Sequence, residues 1–269
     1  MDNHMSKPII TLIIPTHVRS KLLKRALSSI NDQALRAHIE VMVISDAKDS
    51  KTDDVCHELL RANDMYIVRN GKAGPSESRN IGLKLAHGQY IMFLDDDDAW
   101  CPGFTAELMP HLEKLNSHIS YFNCTIVKES RTPQGPVIHS ESPFDWSNRV
   151  NDQIYVKNQV HMSCLLFPRH ILEGLEFDST MRAYEDWDFM LAARDLLPII
   201  HVPVMCSRIH EVDDQTTDRR GSSADAVNFN AVLDYLYVYR RHAAPTRQIA
   251  EQRQALLAST GLTLPTDMV

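Results

Sequence analysis

Residues 73–100 read AGPSESRNIGLKLAHGQYIMFLDDDDAW, and the end of that stretch decides the fold. Tyr90, Ile91, Met92, Phe93 and Leu94 make a short unbroken apolar run, the pattern of a strand buried on both faces of a sheet. Asp95, Asp96, Asp97 and Asp98 follow at once. Four adjacent carboxylates repel one another, so a folded chain keeps them where cations offset the charge. A hard divalent ion carrying a phosphorylated substrate is one such offset; a solvated acidic turn is the plainer one. The position favours the first, because open α/β sheets take their ligands beyond the C-terminal ends of the strands.

Working outward, residues 9–14 form a second apolar, β-branched run closed by Pro15, followed by helical spacing through Leu22, Leu23, Ala26, Leu27 and Ile30 with Ser20 as the expected N-cap. Strands are expected at 39–45 and 65–69, with helices at 53–62 and 76–86. Strands alternating with helices imply right-handed crossovers and a mostly parallel sheet. The second half is less regular. Strands are expected at 119–127, 163–167 and 198–205, a helix at 186–195, and helical character from 224 to 257 broken near Pro245. The polar stretch 132–158 reads as a long loop.

The chain has 269 residues, 43% hydrophobic and 23% charged, which suits a soluble globular protein of one large domain or one domain with an appendage. A net charge of -7 argues against a nucleic-acid partner, since phosphate backbones need a basic face. No run approaches the roughly 18 apolar residues of a membrane span, and no secretory leader pattern is visible, so a cytoplasmic protein is expected. Residues 1–5 stand outside this reading. The five cysteines contain no CxxC pair and read as buried thiols rather than a zinc site or disulfide framework. Patterns for metalloproteases, α/β-hydrolases and P-loop NTPases are missing.

Four stretches in order, LIIPTHVRS, VMVISDAKDS, the 73–100 segment and YEDWDF, resemble the GT-A fold glycosyltransferases of inverting family 2, over roughly residues 7–215. The resemblance implies an α/β, Rossmann-like mostly parallel sheet flanked by helices. It divides the chain into a glycosyltransferase domain at 7–220 (nucleotide-binding half 7–100, acceptor-binding half 101–220) and a C-terminal helical extension at 221–269. It implies transfer of a sugar from a nucleotide-diphosphate donor, most naturally a UDP-sugar, to a hydroxyl of a glycan or lipid-linked acceptor. Mn²⁺ or Mg²⁺ would sit on the diphosphate, where its charge helps most as the leaving group forms.

Carried onto this sequence, the resemblance makes Asp95 and Asp97 the DxD pair, with Asp95 on ribose or metal and Asp97 a metal ligand. Asp96 and Asp98 depend on the register of the run, and Asp98 is alternatively a cap for a helix near Pro102. Asp46 would meet the base, although Ser45, Asp46, Ala47, Lys48 depart from the usual D-D-G-S. Thr16 and Arg19 fall in the loop that contacts base and phosphate, and Arg79 and Asn80 in a helix start that faces diphosphate. Asp186 would be the base that deprotonates the acceptor hydroxyl, with Glu185 in support and Asp188 the competitor; helix-dipole stabilisation accounts for the same acids without chemistry. Arg208 and His210 resemble a segment after the last core strand, with the histidine completing the metal site and the arginine near diphosphate. The aromatic, arginine-bearing segment 225–241 is open to core packing, acceptor contact, a homodimer, or peripheral contact with the inner face of a membrane. Two rivals remain: a catalytically silent nucleotide-binding scaffold of the same fold, and a sugar nucleotidyltransferase, whose glycine-rich first loop is replaced here by Pro15, Thr16, His17, Val18, Arg19.

Overall fold

The computed structural model describes residues 7–132, 134–212 and 227–269, with side chains in the last segment from 232 onward. The expected 220/221 boundary and the start of helical character at 224 lie outside the described residues. The first half runs β1 (Ile10–Thr16), α1 (Ser20–Asn31), β2 (Ile39–Ser45), α2 (Ser50–Leu59), β3 (Met65–Val68), α3 (Pro75–Leu85) and β4 (Tyr90–Phe93). The four strands are parallel, in the order β3-β2-β1-β4. β1, β2 and β4 are buried at every position, the physical reason they read as unbroken apolar runs. Ser20 is the first helical residue rather than the cap: Arg19 holds the cap position without a side-chain hydrogen bond.

The second half runs β5 (Ala99–Trp100), α4 (Phe104–Leu108), β6 (Ile119–Thr132), β7 (Gly135–Phe144), β8 (Leu165–Pro168), α5 (Glu185–Arg194) and β9 (Ile199–Val212). These extend the sheet as β4-β8-β6-β9-β5, with β7 beside β6. β8 is antiparallel to β4 and β6, while β6 and β9 are parallel. Two expectations are corrected here. The stretch read as a loop contains β7, an antiparallel arm on β6; it is exposed at nearly every position, so it lacks the apolar alternation that marks a half-buried strand. The strand expected to end at residue 205 runs on to Val212, so Arg208 and His210 lie in a core strand rather than after it.

An aromatic cluster ties the halves together. Phe93 packs edge-on against Phe167, Phe177 and Phe189 at 5.1 to 6.1 Å, and Phe177 stacks on Phe189 at 3.9 Å. Pairs of this kind add about 1 kcal/mol each beyond burial. They lock α5 against the end of β4, which brings residues 185–186 to residue 95. The remaining helices, α6 (Val227–Arg241) and α7 (Arg247–Ser259), pack on this half. Tyr235 and Tyr239 meet Trp187, and Tyr239 Oη donates to the Val156 carbonyl at 2.7 Å. Trp187 is core, fully buried with Nε1 on the Ile154 carbonyl. All five cysteines are buried thiols. No helix among the described residues is long and apolar enough to cross a membrane.

Candidate active site

Because β1 to β4 are parallel and in register, Thr16, Asp46, Arg69 and Asp95 all leave the same edge of the sheet. A cleft of about 790 Å³ opens there, lined by His17, the loop 69–77, Arg79, Asp95 and the segment 181–186. One wall is therefore the glycine-bearing loop and the start of α3; the other is the start of α5.

Arg79 spans the two walls. Its guanidinium is buried, donates to Asp95 at 2.7 Å and to Glu185 at 3.0 Å, and lies 5.2 Å above the Phe177 ring. Asp95 remains 43% exposed, the one member of the acidic run that lines the cleft. Glu185 and Asp186 begin α5 directly after Tyr184, whose φ of +63° is left-handed. Such a bulky residue at positive φ is strained and persists where its surroundings over-determine it; here Tyr184 packs on Tyr235 and Trp187. Asp186 accepts from Asn158 Nδ2 at 3.3 Å and the Trp187 amide at 2.7 Å. Burial, then the neighbouring Glu185 charge, push its carboxyl up to about 7, with Arg79 pulling the other way. Asp188, the competing acid, is turned from the cleft and buried against Arg241 at the end of α6 and His242 just after it.

The other three aspartates diverge. Asp96 points back to the β1 end, accepting from Thr16 Oγ1 at 2.7 Å and Arg19 at 3.0 Å, and burial lifts its carboxyl to about 6. Asp97, 26% exposed, shares one oxygen between Arg19 at 3.0 Å and Arg131 at 2.9 Å. Burial opposes its ionisation, but the Arg131 hydrogen bond and the two arginine charges hold it below the usual range. Asp98 is buried on Ser163 Oγ at 2.7 Å and the His210 amide at 3.0 Å; it caps no helix, since Gly103 precedes α4.

Several expected contacts are placed elsewhere. Thr16 is spent on Asp96. Asp46 lies behind the cleft wall, its oxygens on His17 Nδ1 and, at 2.7 Å, the Gly74 amide. Gly74 has φ +149°, a conformation open to glycine. Both ends of the Asn80 amide grip the Phe177 backbone at 2.8 Å, so Asn80 fixes the loop ahead of α5 and does not line the cleft. Arg208 is tied to Glu141 of β7 and is likewise absent from the cleft lining. His210 is buried, its Nδ1 2.9 Å from Glu129, its Nε2 without a hydrogen-bond partner. Among the described residues no group of three or more His, Cys, Asp or Glu is assembled for a metal ion.

Residues outside the expected set also build the site. Arg69 donates to Ser78 Oγ and to the carbonyls of Lys72 and Gly74, shaping the loop; an arginine at a strand end before two glycines was its available signal. Arg131, which donates to Asp97, and Arg25, which donates to the Asp97 carbonyl and to buried Glu129, carry no such signal, being common charged residues on a strand tail and a helix.

The family model for Glycosyl transferase family 2 matches residues 11–175, more than half of the chain. A Campylobacter jejuni protein, GalNAc(5)-diNAcBac-PP-undecaprenol beta-1,3-glucosyltransferase, is 34% identical over 125 residues, 45% of this chain and 40% of its own. The putative colanic acid biosynthesis glycosyl transferase WcaA of Escherichia coli is 26% identical over 192 residues, 69% of this chain and 66% of its own. The chain thus spans less than two thirds of either relative's length. Among solved structures, Staphylococcus aureus TarS 1-349 in complex with UDP-GlcNAc superposes with TM-score 0.63 at 16% identity, covering 92% of this chain and 71% of that one. The mannosyltransferase PcManGT of Pyrobaculum calidifontis, in complex with GDP-Man and Mn²⁺, superposes with TM-score 0.60 at 18% identity, covering 97% and 78%. With the sheet, the cleft at its C-terminal edge and the family match agreeing, the chain belongs to glycosyl transferase family 2 and has the GT-A fold.

Proposed function

We propose that the protein is an inverting glycosyltransferase that moves a sugar from a nucleoside diphosphate donor, most naturally a UDP-sugar, to a hydroxyl of a glycan or lipid-linked acceptor. The observation that carries this is the Arg79 bridge. It joins a donor-side carboxylate, Asp95, to Glu185 across one cleft, beside the raised carboxyl of Asp186. In the transfer, the acceptor oxygen bonds to the anomeric carbon, the bond from that carbon to the diphosphate breaks, and the hydroxyl proton passes to Asp186. A carboxyl with its pKa near the working pH suits that proton transfer. Asn158 and the Trp187 amide orient it, and Glu185 keeps it basic. The nucleoside diphosphate would lie along the loop 69–77, with the first turn of α3 beneath the phosphates. The names of the relatives, which include a polyprenyl-diphosphate acceptor and colanic acid biosynthesis, favour a polysaccharide role.

A divalent ion fits part of the donor set. Ions that arrive with a nucleotide take one or two protein carboxylates and complete their shell from phosphate and water, so three assembled ligands are not required. Asp95 opens on the cleft, and His210 presents a buried, unpartnered Nε2 whose ring is oriented by a carboxylate, the usual support for a ligating histidine. Asp97 already carries two guanidiniums on one oxygen. Asp95 and Asp97 are the carboxylates that would hold the ion, with His210 outside the cleft lining, and the ion would supply charge stabilisation to the departing diphosphate.

The test is thermal unfolding with UDP, GDP, dTDP and CMP, each with and without Mn²⁺, followed by donor hydrolysis and transfer assays. A ligand of the folded state at about 100 times its Kd stabilises by about 2.7 kcal/mol. A response to UDP that grows with Mn²⁺ is expected. No response to any nucleotide, with no turnover, sinks the proposal.

A further inference from the structure

The carboxylate expected at the nucleobase does not reach the cleft. The Asp46 side chain is 1% exposed, and His17 covers it. One Asp46 oxygen is bonded to His17 Nδ1. The other accepts from the Gly74 amide at 2.7 Å and lies 3.8 Å from Arg69 Nη2. Asp46 thus ties together the ends of β1 and β2 and the loop that follows β3. The His17 side chain is 41% exposed and lines the cleft, which Asp46 does not. Val18 then turns the chain at φ +50°; His17 is left on the cleft, while Arg19 reaches back to Asp96 and Asp97. The strand order fixes which end of the cleft this is. Asp95 follows β4 and meets the Arg79 that also holds Glu185, whereas His17 follows β1, on the side of β2 and β3. A donor with its sugar by Asp186 and its phosphates over the start of α3 directs its base toward that side.

Resting on the donor site proposed above, we infer that His17, and not Asp46, reads the nucleobase, and that it selects bases with a ring N–H on the pairing edge: uracil, thymine or guanine rather than cytosine or adenine. The polarity follows from hydrogen-bond logic. A carboxylate only accepts, so the proton shared with Asp46 sits on Nδ1, and the neutral ring presents the Nε2 lone pair. That lone pair accepts from N3–H of uracil or thymine, or from N1–H of guanine. Cytosine N3 and adenine N1 are themselves acceptors, and each would set one lone pair against another. For Asp46 to reach the base itself, the imidazole would have to swing out and abandon a buried carboxylate, which costs more than breaking a bond between exposed groups. Asp46 is then a positioning residue. It fixes the tautomer of His17 and, through the Gly74 amide, holds the loop 69–77 beside it.

His17→Phe tests this, because it keeps a planar ring over Asp46 and removes Nε2. Titration calorimetry would measure two matched pairs, UDP against CDP and GDP against ADP, on wild type, H17F and Asp46→Asn. Each pair exchanges a ring N–H for a lone pair at one position. Wild type should favour the N–H member of the pair it binds by about tenfold, the worth of one hydrogen bond made or left unmade. H17F should bring that ratio to about one, chiefly by weakening the N–H member. D46N offers an amide N–H to Nδ1, which permits the tautomer with its proton on Nε2, so its ratio should narrow as well. A base read directly by Asp46 predicts instead that H17F keeps the wild-type ratio and only D46N loses it, and that result overturns the inference. An H17F protein that binds both members more weakly at an unchanged ratio overturns it too, since that is a loss of loop shape and not of base reading. So does a D46N protein with the full wild-type ratio, or a wild type that shows no base preference or prefers CDP or ADP. Wild type that binds none of the four refutes the donor site itself and this inference with it.

Discussion

Asp186→Asn is the most informative perturbation of the cleft, because geometry and titration make separate demands of that residue. The substitution keeps volume and the contact with Asn158 but abolishes the base. Loss of a general base costs about 10² to 10⁴ in rate, so kcat should fall by that much while donor Kd stays near wild type, since Asp186 stands on the acceptor side of Arg79. The wild-type pH profile gives the second demand. With the carboxyl at about 7, its ionised fraction falls from about 0.9 at pH 8 to about 0.1 at pH 6, so kcat/KM should drop about tenfold on that limb. The charged groups facing it are Glu185, Arg79 and Asp95. Glu185 raises the pKa and Arg79 lowers it, so Glu185→Gln should move the acid limb down and Arg79→Met should move it up, each by about one unit. The same shift has a stability consequence of opposite sign to the usual aspartate. A folded pKa raised above the unfolded value gives a stabilisation that is present at low pH and lost as pH rises through about 7, so Asp186→Asn should raise the unfolding free energy at pH 8 by about 1 kcal/mol after allowing for screening at the open cleft. Steady-state transfer assays across pH 5.5–9, calorimetric donor binding and chemical denaturation at pH 8 measure these outcomes. An Asp186→Asn enzyme with near-normal kcat, or an acid limb unmoved in both flanking variants, refutes the assignment of the base.

Other outcomes follow from the same structure. Asp97→Ala should lose Mn²⁺-dependent UDP binding while metal-free UDP binding persists, as read by calorimetry; equal loss of both would remove Asp97 from the ion's partners. Gly88→Ala should destabilise by about 3 kcal/mol in chemical denaturation, because a Cβ there meets the backbone of Ile10 and Thr11 with no flexible atom to yield. Val18→Asn should raise stability by about 0.5 to 1 kcal/mol in the same assay, since Val18 holds φ +50° while 53% exposed, and asparagine tolerates that region where a β-branched residue does not.

The legible parts of this chain were those whose signal is local. β1, β2 and β4 are buried on both faces, so burial wrote itself into consecutive apolar residues. α1 shows the same logic at helical period, with Leu22, Leu23, Ala26, Leu27 and Ile30 all buried. The family match was legible because loop, strand and acidic run adjoin in sequence. β7 was not legible: an edge arm that buries neither face needs no apolar period. Nor was the extent of β9, whose later residues break strict alternation, with half-exposed Arg208 and Glu211 each following a buried pair, and include an arginine and a histidine.

By itself, then, the sequence determined the parallel half of the sheet, the family, and the placing of four aspartates beyond a buried strand, because short-range periodicity and adjacency express those facts. Tertiary structure alone decided how the four divide: Asp95 to the cleft, Asp96 to the end of β1, Asp97 to Arg19 ahead of α1 and Arg131 of β6, Asp98 to Ser163 ahead of β8 and to the His210 amide of β9. Their electrostatic partners come from residues 34 to 112 positions away, apart from Arg79. A carboxylate's ionisation and reach are set by what packs around it in space, and no pattern within the run records that.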